Sequence, residues 1–497
     1  MGGEGVSIIK FIKNFLKYSP SSFIPALVGF LTIPFLSKIF DPTSYGNYIL
    51  VISVVNVLSI IINSICGDST VRFFSVYKLH EKLKSFYDSL IVLYLFLAAV
   101  LTIISLLVLY IIQHEIDSNL YNLMLAGVPL FIFTTAFFIS GRILVAKENS
   151  GIYSFFVSFQ SILGFLFSII LILVFKMNIM GIMWGYMISF ILLLPFIYKY
   201  AFEGKYFGKG FSRPIFMKLV KYGFPVAITN LAAWILSFFD RYVLGFYWGS
   251  AQVGIYSASY TLSEMTMTIL LNLFMLASYP ALVKIWETKG KIPTQDYIGK
   301  LTRYYLLIGF PVAVGLSILS KPIIEVITSP AYYGGYIIIP LVVFGALLLG
   351  LQWWAQLGLL LNNKTHIIAI IVLIAGFFNI ITNFIFIPNY GFIGAAISTF
   401  ISYLILLSLI MVFSRSYLKL DFQFKSFIKI VFSSAVMGLI LYIINQFFAT
   451  SQIIHLIVEI LIGIILYLLI LFAVKEFRDE ETFLIKETIY KIVKNRR

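Results

Sequence analysis

Residues 220–260, VKYGFPVAITNLAAWILSFFDRYVLGFYWGSAQVGIYSASY, carry two adjacent charges, Asp240 and Arg241, inside an otherwise apolar run. An ionisable side chain at membrane depth costs about 2.5–3.5 kcal/mol on insertion scales, so the pair marks a position where charge has a task. The surrounding chain has the composition of a membrane protein. Of 497 residues, 61% are hydrophobic and 11% charged, and the mean hydropathy is +0.99. A soluble domain has roughly 45–50% apolar and about 25% charged residues.

Apolar runs long enough to cross roughly 30 Å of hydrocarbon recur from end to end. They are continuous rather than alternating, which selects helices over a β-barrel. The spans fall near 19–39, 47–66, 89–112, 120–141, 152–175, 180–198, 223–245, 252–283, 304–320, 335–361, 365–387, 391–413, 427–447 and 453–474. The expected fold is an all-α polytopic membrane protein with about fourteen transmembrane helices. No outer connection is long enough to fold by itself.

The net charge is +15, with 36 basic residues, and its distribution speaks against nucleic acid as a partner. Only Lys38, Lys176, Arg241 and Lys321 fall on one side of this topology, and every other Lys and Arg falls on the opposite side. The positive-inside rule then puts both termini in the cytoplasm, in a multi-pass protein of the plasma membrane whose basic face meets anionic lipid. The N-terminus lacks a short apolar core followed by a small-residue cleavage site, so no removable signal peptide is expected. Val6 stands where a myristoylation pattern needs Ser or Thr.

The chain repeats itself. Tyr45-Gly46-Asn47-Tyr48 falls on Val253-Gly254-Ile255-Tyr256 at an offset of 208, and Ser21-Ser22-Phe23 falls on Thr229-Asn230-Leu231 at the same offset. Each copy holds an even number of spans, so the two are related by an axis along the membrane normal, the parallel-repeat plan of transporters. The expected organisation is an N-lobe over 1–198, a basic cytoplasmic linker over 199–222, a C-lobe over 223–413, two added spans over 427–474 and a charged cytoplasmic tail over 475–497. Pro20, Pro25 and Pro34 predict a bent or interrupted first helix. Thr43 or Ser44 is the expected N-cap of the second.

On the seventh span Asn230, Ser237, Asp240 and Arg241 fall at i, i+7, i+10 and i+11, within one broad helical stripe. One reading is a cavity lined for a polar or anionic substrate, Arg241 donating to phosphate. The other is local: each charge pairs with a neighbouring helix or snorkels to the outer face. Glu264, near mid-membrane on the eighth span, reads either as a proton or cation coupling site, shared with Asp68, or as a partner of Arg241. Asp68 and Arg72 stand four apart, the spacing of an intrahelical pair. Arg72, Arg142 and Arg303 either ring a cytoplasmic mouth that meets a diphosphate or merely follow the positive-inside rule. Gln352, Gln356 and Asn363 on the tenth span and Asn379 with Asn383 on the eleventh are expected to make interhelical hydrogen bonds, and the His455–Glu459 pair near the outer end of the last span is expected to serve packing.

Other chemistry finds no support. There is no Walker sequence, and one cysteine with four histidines makes no zinc set. No catalytic residue, metal or cofactor is expected, and the chain reads as a transporter rather than an enzyme.

Several motifs together resemble the Wzx-type polysaccharide flippases of the multidrug, oligosaccharidyl-lipid and polysaccharide exporter superfamily. They are Leu36-Ser37-Lys38-Ile39-Phe40-Asp41-Pro42 leading to Tyr45-Gly46-Asn47-Tyr48, then Val71-Arg72-Phe73-Phe74 and Tyr222-Gly223-Phe224-Pro225. Asp240-Arg241-Tyr242-Val243-Leu244-Gly245, Val253-Gly254-Ile255-Tyr256 and Gly391-Phe392-Ile393-Gly394-Ala395-Ala396 complete the set. The resemblance implies two six-helix lobes opening alternately around a cationic cavity, and a polyprenyl-linked oligosaccharide carried from the cytoplasmic to the outer leaflet. Arg72, Asp240 and Arg241 inherit that role position by position, joined as cavity residues by Arg142 and Asn230. Lys38 stands where the family often has Arg, and the first-half glycine motif, Gly181-Ile182-Met183-Trp184-Gly185, is weaker. H+ or Na+ and glycan-assembly proteins are the further partners this implies. A drug or cation antiporter of the same superfamily would use carboxylates as its main cavity charge. A membrane-embedded glycosyltransferase or polymerase would need more acids than the outer loops offer in Glu115, Asp117 and Glu325.

Overall fold

The computed structural model describes residues 2–203, 210–447 and 453–477; Lys205 and Lys209 of the basic linker, the outer connection 448–452 and the tail beyond 477 lie outside them. Every regular element among the described residues is helical. The order is α1 (Gly2–Ile39), α2 (Pro42–Ile62), a π turn (Asn63–Asp68), α3 (Ser69–Leu79), α4 (Leu83–Ile112), α5 (Ser118–Ala146), α6 (Ser150–Leu173) and α7 (Met180–Phe202). There follow α8 (Arg213–Lys289), α9 (Lys291–Ile318), α10 (Ser320–Ile327), a 3-10 turn (Pro330–Ile338), α11 (Ile339–Leu361), α12 (Thr365–Ser414), α13 (Phe424–Phe447) and α14 (Ile453–Ala473).

Among the described residues, 12 helices are long and apolar enough to cross a membrane, and the protein is a multi-pass membrane protein. Two of these helices are too long for one crossing. At 1.5 Å per residue the 77 residues of α8 would run to about 115 Å and the 50 residues of α12 to about 75 Å, against roughly 30 Å of hydrocarbon. Each breaks once, α8 at Gly249 (φ 80°) and α12 at Gly391 (φ 56°). Positive φ is open to glycine at no steric cost. Counting the arms on either side of each break gives the fourteen crossings expected. The two breaks are joined by a hydrogen bond: Trp248 Nε1, beside the first, donates to the Ile387 carbonyl four residues before the second, at 2.9 Å.

Of the two outcomes expected from its three prolines, a bend or an interruption, α1 shows no interruption. Each removes one backbone donor, while the flanking helical bonds carry the register through. The cap of α2 differs from expectation. Asp41, not Thr43 or Ser44, closes the helix: its carboxylate accepts from Thr43 N at 3.0 Å, Ser44 N at 3.3 Å and Ser44 Oγ at 2.7 Å. Pro42 supplies the first helical residue, where no donor is needed. Partial burial raises the pKa of Asp41, and the bonds from Ser44 and Thr43 outweigh it, so the carboxyl lies below its ordinary value.

The residues fall into two compact units, Met1–Met265 with Ala369–Ser402, and Thr266–Ile368 with Tyr403–Arg497. In the first, the two copies of the repeated glycine motif meet face to face. A Cβ on Gly46 would lie 1.8 Å from the Ser250 carbonyl oxygen, and one on Gly254 would lie 2.0 Å from that of Pro42. Small residues that let helix backbones touch are the usual means of association in lipid, where apolar burial gives little drive.

In the second unit a core gathers around Tyr305, with Leu301, Val343, Leu347 and Trp354. Arg303, on the same helix, is 4% exposed and is no surface cation at a mouth. Its Nε donates to Glu476 Oε1 at 2.8 Å and to Ser426 Oγ at 3.0 Å, and its Nη2 to the Glu476 carbonyl at 2.9 Å. Ser426 donates to the same carboxylate oxygen. Lys429 Nζ reaches the Lys475 carbonyl at 2.7 Å. The chain leaving α14 is therefore clamped onto α9 and α13.

Gly46→Ala forces a Cβ into backbone that cannot yield, and is expected to cost about 1–3 kcal/mol, read as a lower unfolding midpoint in detergent. Gly315→Ala meets nothing within 4 Å and should leave the midpoint unchanged or raise it. Equal behaviour of the two variants would contradict the backbone contact.

Candidate functional site

A cavity of about 480 Å³ lies within the first unit. Three helices line it, each with one periodic face. From α5 come Thr134, Phe138 and Arg142, and from α8 come Asn230, Trp234 and Phe238. Both sets are spaced i, i+4, i+8, which stacks their side chains in a row. Asn56, Ser59, Asn63, Ser64 and Asp68 face the cavity from α2 and the π turn.

The π turn is where this site is assembled. Irregular backbone at membrane depth persists where it lines a cavity, and π segments concentrate at such places. Gly223 of α8 rests directly on it: a Cβ there would fall 2.4 Å from Ile65 Cα and 2.9 Å from the Ser64 carbonyl oxygen. Two turns along, Asn230 Nδ2 donates to Ser64 Oγ at 2.9 Å. Arg142 Nη2 lies 3.4 Å from Asp68 Oδ1, with side chains 43% and 28% exposed. One end of the cavity is thus a charged layer of Asp68, Arg142 and Asn230. Two turns deeper, about 12 Å at helical rise, Thr134 and Phe238 form its floor.

Asp68 therefore pairs with Arg142 across the helices rather than with Arg72 along its own. Arg72 is exposed. The Asp68–Arg142 separation exceeds the roughly 2.7–2.9 Å of a strong charge-assisted bond, so the guanidinium keeps donors for a further anion. An ion pair this exposed contributes about 0.2–1 kcal/mol to stability.

Asp240 and Arg241 are each 1% exposed and do not line the cavity. They form a pair with each other, Arg241 Nη1 donating to Asp240 Oδ1 at 2.9 Å and to the Ser237 carbonyl at 2.6 Å. Tyr256 Oη donates to Asp240 Oδ2, and Thr399 Oγ1 reaches the same oxygen at 3.3 Å. Three rings enclose the guanidinium, with centroids at 4.6 Å for Phe238, 5.3 Å for Tyr256 and 4.5 Å for Tyr260. Phe238 belongs to both places: it touches the guanidinium and lines the cavity. Glu264, one turn beyond Tyr260, is partly buried.

Two polar pairs expected to bond between helices, Gln352 with Gln356 and Asn379 with Asn383, are instead joined along their own helices, and Asn379 alone reaches across to another arm. Gln352 Nε2 donates to Gln356 Oε1 at 2.7 Å, Asn383 Nδ2 to Asn379 Oδ1 at 2.9 Å, and Asn379 Nδ2 to Ser402 Oγ on the other arm of α12 at 3.2 Å. In the second unit a groove of about 390 Å³ is lined by apolar groups, among them Leu307, Pro311, Leu441 and Tyr467. The Tyr467 hydroxyl is committed to the Leu307 carbonyl at 2.8 Å. The groove presents no charge to a polar headgroup.

The sequence reading missed the neutral cavity wall, Asn56, Ser59, Asn63, Thr134, Phe138, Trp234 and Phe238. The signal was available in part: Thr134, Phe138 and Arg142 repeat every fourth residue, as do Asn230, Trp234 and Phe238. Nothing in the spacing indicates that the two rows face each other.

Truncating one member of a buried ion pair strands the other, at about 3–5 kcal/mol. Asp240→Ala should accordingly collapse the thermal midpoint in detergent, while Asp240→Ala combined with Arg241→Met, which removes both charges, should recover most of it. A single variant as stable as the wild type would show that the pair contributes nothing.

Residues 11–286 match the family described as polysaccharide biosynthesis protein. The membrane protein MJ1068 of Methanocaldococcus jannaschii is 26% identical over 347 residues, covering 66% of this chain and 66% of that protein. The probable low-salt glycan biosynthesis flippase Agl15 of Haloferax volcanii is 20% identical over 253 residues, covering 51% of this chain and 53% of that one. The chain thus spans 66% and 53% of the length of these two relatives. Among solved structures, lipid II flippase MurJ in an inward closed conformation is similar with a TM-score of 0.76 at 21% identity, over 91% of this chain and 97% of that chain. A multidrug resistance MATE family transporter of the MOP superfamily, inward-facing, gives a TM-score of 0.62 at 15% identity, over 81% and 97%. The fold is the one these transporters share, as the resemblance to Wzx-type flippases implied, and with more than half its length matched the chain belongs to the polysaccharide biosynthesis protein family.

Proposed function

We propose that this protein is a flippase that moves a polyprenyl-(di)phosphate-linked oligosaccharide from the cytoplasmic to the outer leaflet by alternating access, for the synthesis of a cell-surface glycan. In this reading it is a transporter and not an enzyme, resides in the cytoplasmic membrane with both termini inside, and works beside glycan-assembly proteins. The moving bodies are the two six-span lobes, 1–198 and 223–413. Membership of the polysaccharide biosynthesis family supports the substrate class.

The observation that carries the reading is the charged layer of the 480 Å³ cavity, where Arg142 and Asn230 offer donors beside Asp68. A guanidinium presents a planar fork that matches phosphate oxygens, and here its contact to Asp68 is loose enough to be exchanged for one to phosphate. Arg72, exposed four residues past Asp68, extends the positive path at the cytoplasmic end. Asp240 and Arg241 stand one ring behind the floor, and a turn of Phe238 would add the Arg241 guanidinium to the cavity. H+ or Na+ coupling falls to Asp68 and Glu264, because a carboxylate that exchanges its cationic partner for a proton or metal ion changes the charge balance of the site.

A drug or cation antiporter is the second reading, favoured by the Asp68 carboxylate facing the same cavity. The two readings differ in which charge does the binding.

Reconstitution in liposomes with a fluorescent polyprenyl-diphosphate sugar, followed by bleaching of the outer leaflet, tests the proposal. A charge-assisted hydrogen bond contributes about 1.5–3 kcal/mol, so Arg142→Ala should slow exchange about 10- to 100-fold. Arg142→Lys should fall between, keeping charge but losing the fork. Exchange by the wild type no faster than in protein-free liposomes would end the proposal, and loss of activity in Asp68→Asn with Arg142→Ala unaffected would favour the antiporter.

A further inference from the structure

The clamp behind α14 lies apart from the cavity and takes no part in the proposed transport step, and its components are unequal. The donors come from long helices, Arg303 from α9 and Ser426 and Lys429 from α13. The acceptor comes from the chain after α14 has ended. Lys475 turns that chain back with φ 53°, a sparsely populated region for a residue other than glycine, so the turn is held by the contacts it makes. Glu476 then enters the ring of donors. Its Oε1 accepts from Arg303 Nε at 2.8 Å and from Ser426 Oγ, and its Oε2 lies 3.9 Å from Lys429 Nζ. The Arg303 and Glu476 side chains are each 3% exposed, whereas that of Lys429 is 39% exposed. A guanidinium, a hydroxyl and an ammonium converging on one point are the donor set of a phosphate site, and the carboxylate stands in the place of the anion.

The level of this set in the bilayer decides which phosphate is at hand. Arg303, Ser426 and Lys475 each stand one residue outside an apolar run, before 304–320, before 427–447 and after 453–474. They share one depth, at the headgroups of a single leaflet, and in the orientation proposed above that leaflet is the cytoplasmic one. Anionic lipid concentrates there. Glu476 cannot simply withdraw, because Arg303 would be left as a buried charge without a partner. It can be exchanged for another anion. Lys429, whose Nζ holds the Lys475 carbonyl at 2.7 Å and is open to solvent, marks the side from which that anion enters.

We propose that Arg303, Ser426 and Lys429 form a binding site for the phosphate of an anionic lipid of the cytoplasmic leaflet, and that Glu476 fills this site in cis. The chain end then acts as a clasp. With Glu476 in place, the inner end of α14 is fastened to α9 and α13. With lipid phosphate in its place the chain end is free, and the bond from Tyr467 to the Leu307 carbonyl is what still ties α14 to α9. The composition of the membrane thereby sets how firmly the last two spans are attached. The inference goes beyond the flippase reading and does not depend on what is transported.

The test is equilibrium binding of a fluorescent short-chain phosphatidylglycerol to the full-length protein in detergent, with phosphatidylcholine and inorganic phosphate as the comparison probes. Apparent affinity falls in proportion to the fraction of sites that are open, so removing the competing carboxylate unmasks the site. Glu476→Gln should therefore bind phosphatidylglycerol at least ~10-fold more tightly than the wild type, and Glu476→Gln combined with Arg303→Gln should lose that gain. Lys429→Gln keeps the Arg303–Glu476 bond and with it the fold, and should weaken wild-type binding about 3- to 10-fold. Phosphatidylcholine, whose choline cancels its phosphate charge, should show no such differences. Equal binding by the wild type and Glu476→Gln, a gain that survives in the double variant, or a Lys429→Gln protein that binds as the wild type does overturns the masked site. The same gain with inorganic phosphate overturns the lipid as its source.

Discussion

In hydrocarbon every backbone donor and acceptor must be satisfied inside the protein, and this constraint governs where the chain departs from regular helix. The departures are few and each has a place. Gly249 and Gly391 break helices far too long for one crossing, and the Ile387 carbonyl just before the second break is taken by the indole of Trp248 beside the first. The π turn at Asn63–Asp68 opens the helix where its residues face a cavity. Even three prolines in α1 leave its backbone helical throughout.

Close backbone contact is the second theme, and it is what turns helices into a site. The repeated glycines Gly46 and Gly254 let two helices touch at one level. Gly223 lets α8 rest on the π turn, and only then does Asn230 reach Ser64. A side chain at Gly223 would push α8 off the π turn and part the residues that share the charged layer. The cavity's chemistry is thereby set by residues that carry none of it.

Charge is handled in two ways within the first unit. Asp240 and Arg241 are sealed among Phe238, Tyr256 and Tyr260 and bonded to each other, an arrangement that favours structural definition over ligand access in the conformation described. Asp68 and Arg142 are half open and loosely paired. Long-lived burial suits the first pair, because separating it in a low dielectric is expensive, and exchange suits the second, because water and a phosphate can compete for its donors. Phe238 stands between the two, lying over the Arg241 guanidinium and lining the cavity.

The amino-acid sequence alone determined the solvent and the spans. Continuous apolar runs can only be helices in lipid, and the fourteen runs correspond to the crossings of the helical fold. It also singled out Asp240 and Arg241 as charges needing an explanation, and placed Asp68, Arg142 and Asn230 among the functional candidates. Tertiary structure decided which charges meet. Spacing offered Arg72 to Asp68, and the cross-helix approach gave it Arg142; spacing offered Arg241 to a cavity, and packing gave it Asp240 and three rings; topology offered Arg303 to a mouth, and Glu476 took it into a buried clamp. The physical reason is common to all three: helical periodicity fixes the face a residue shares with its neighbours along one helix, whereas its partner across the gap depends on rotation and depth of a second helix, which are set by the small residues where backbones touch.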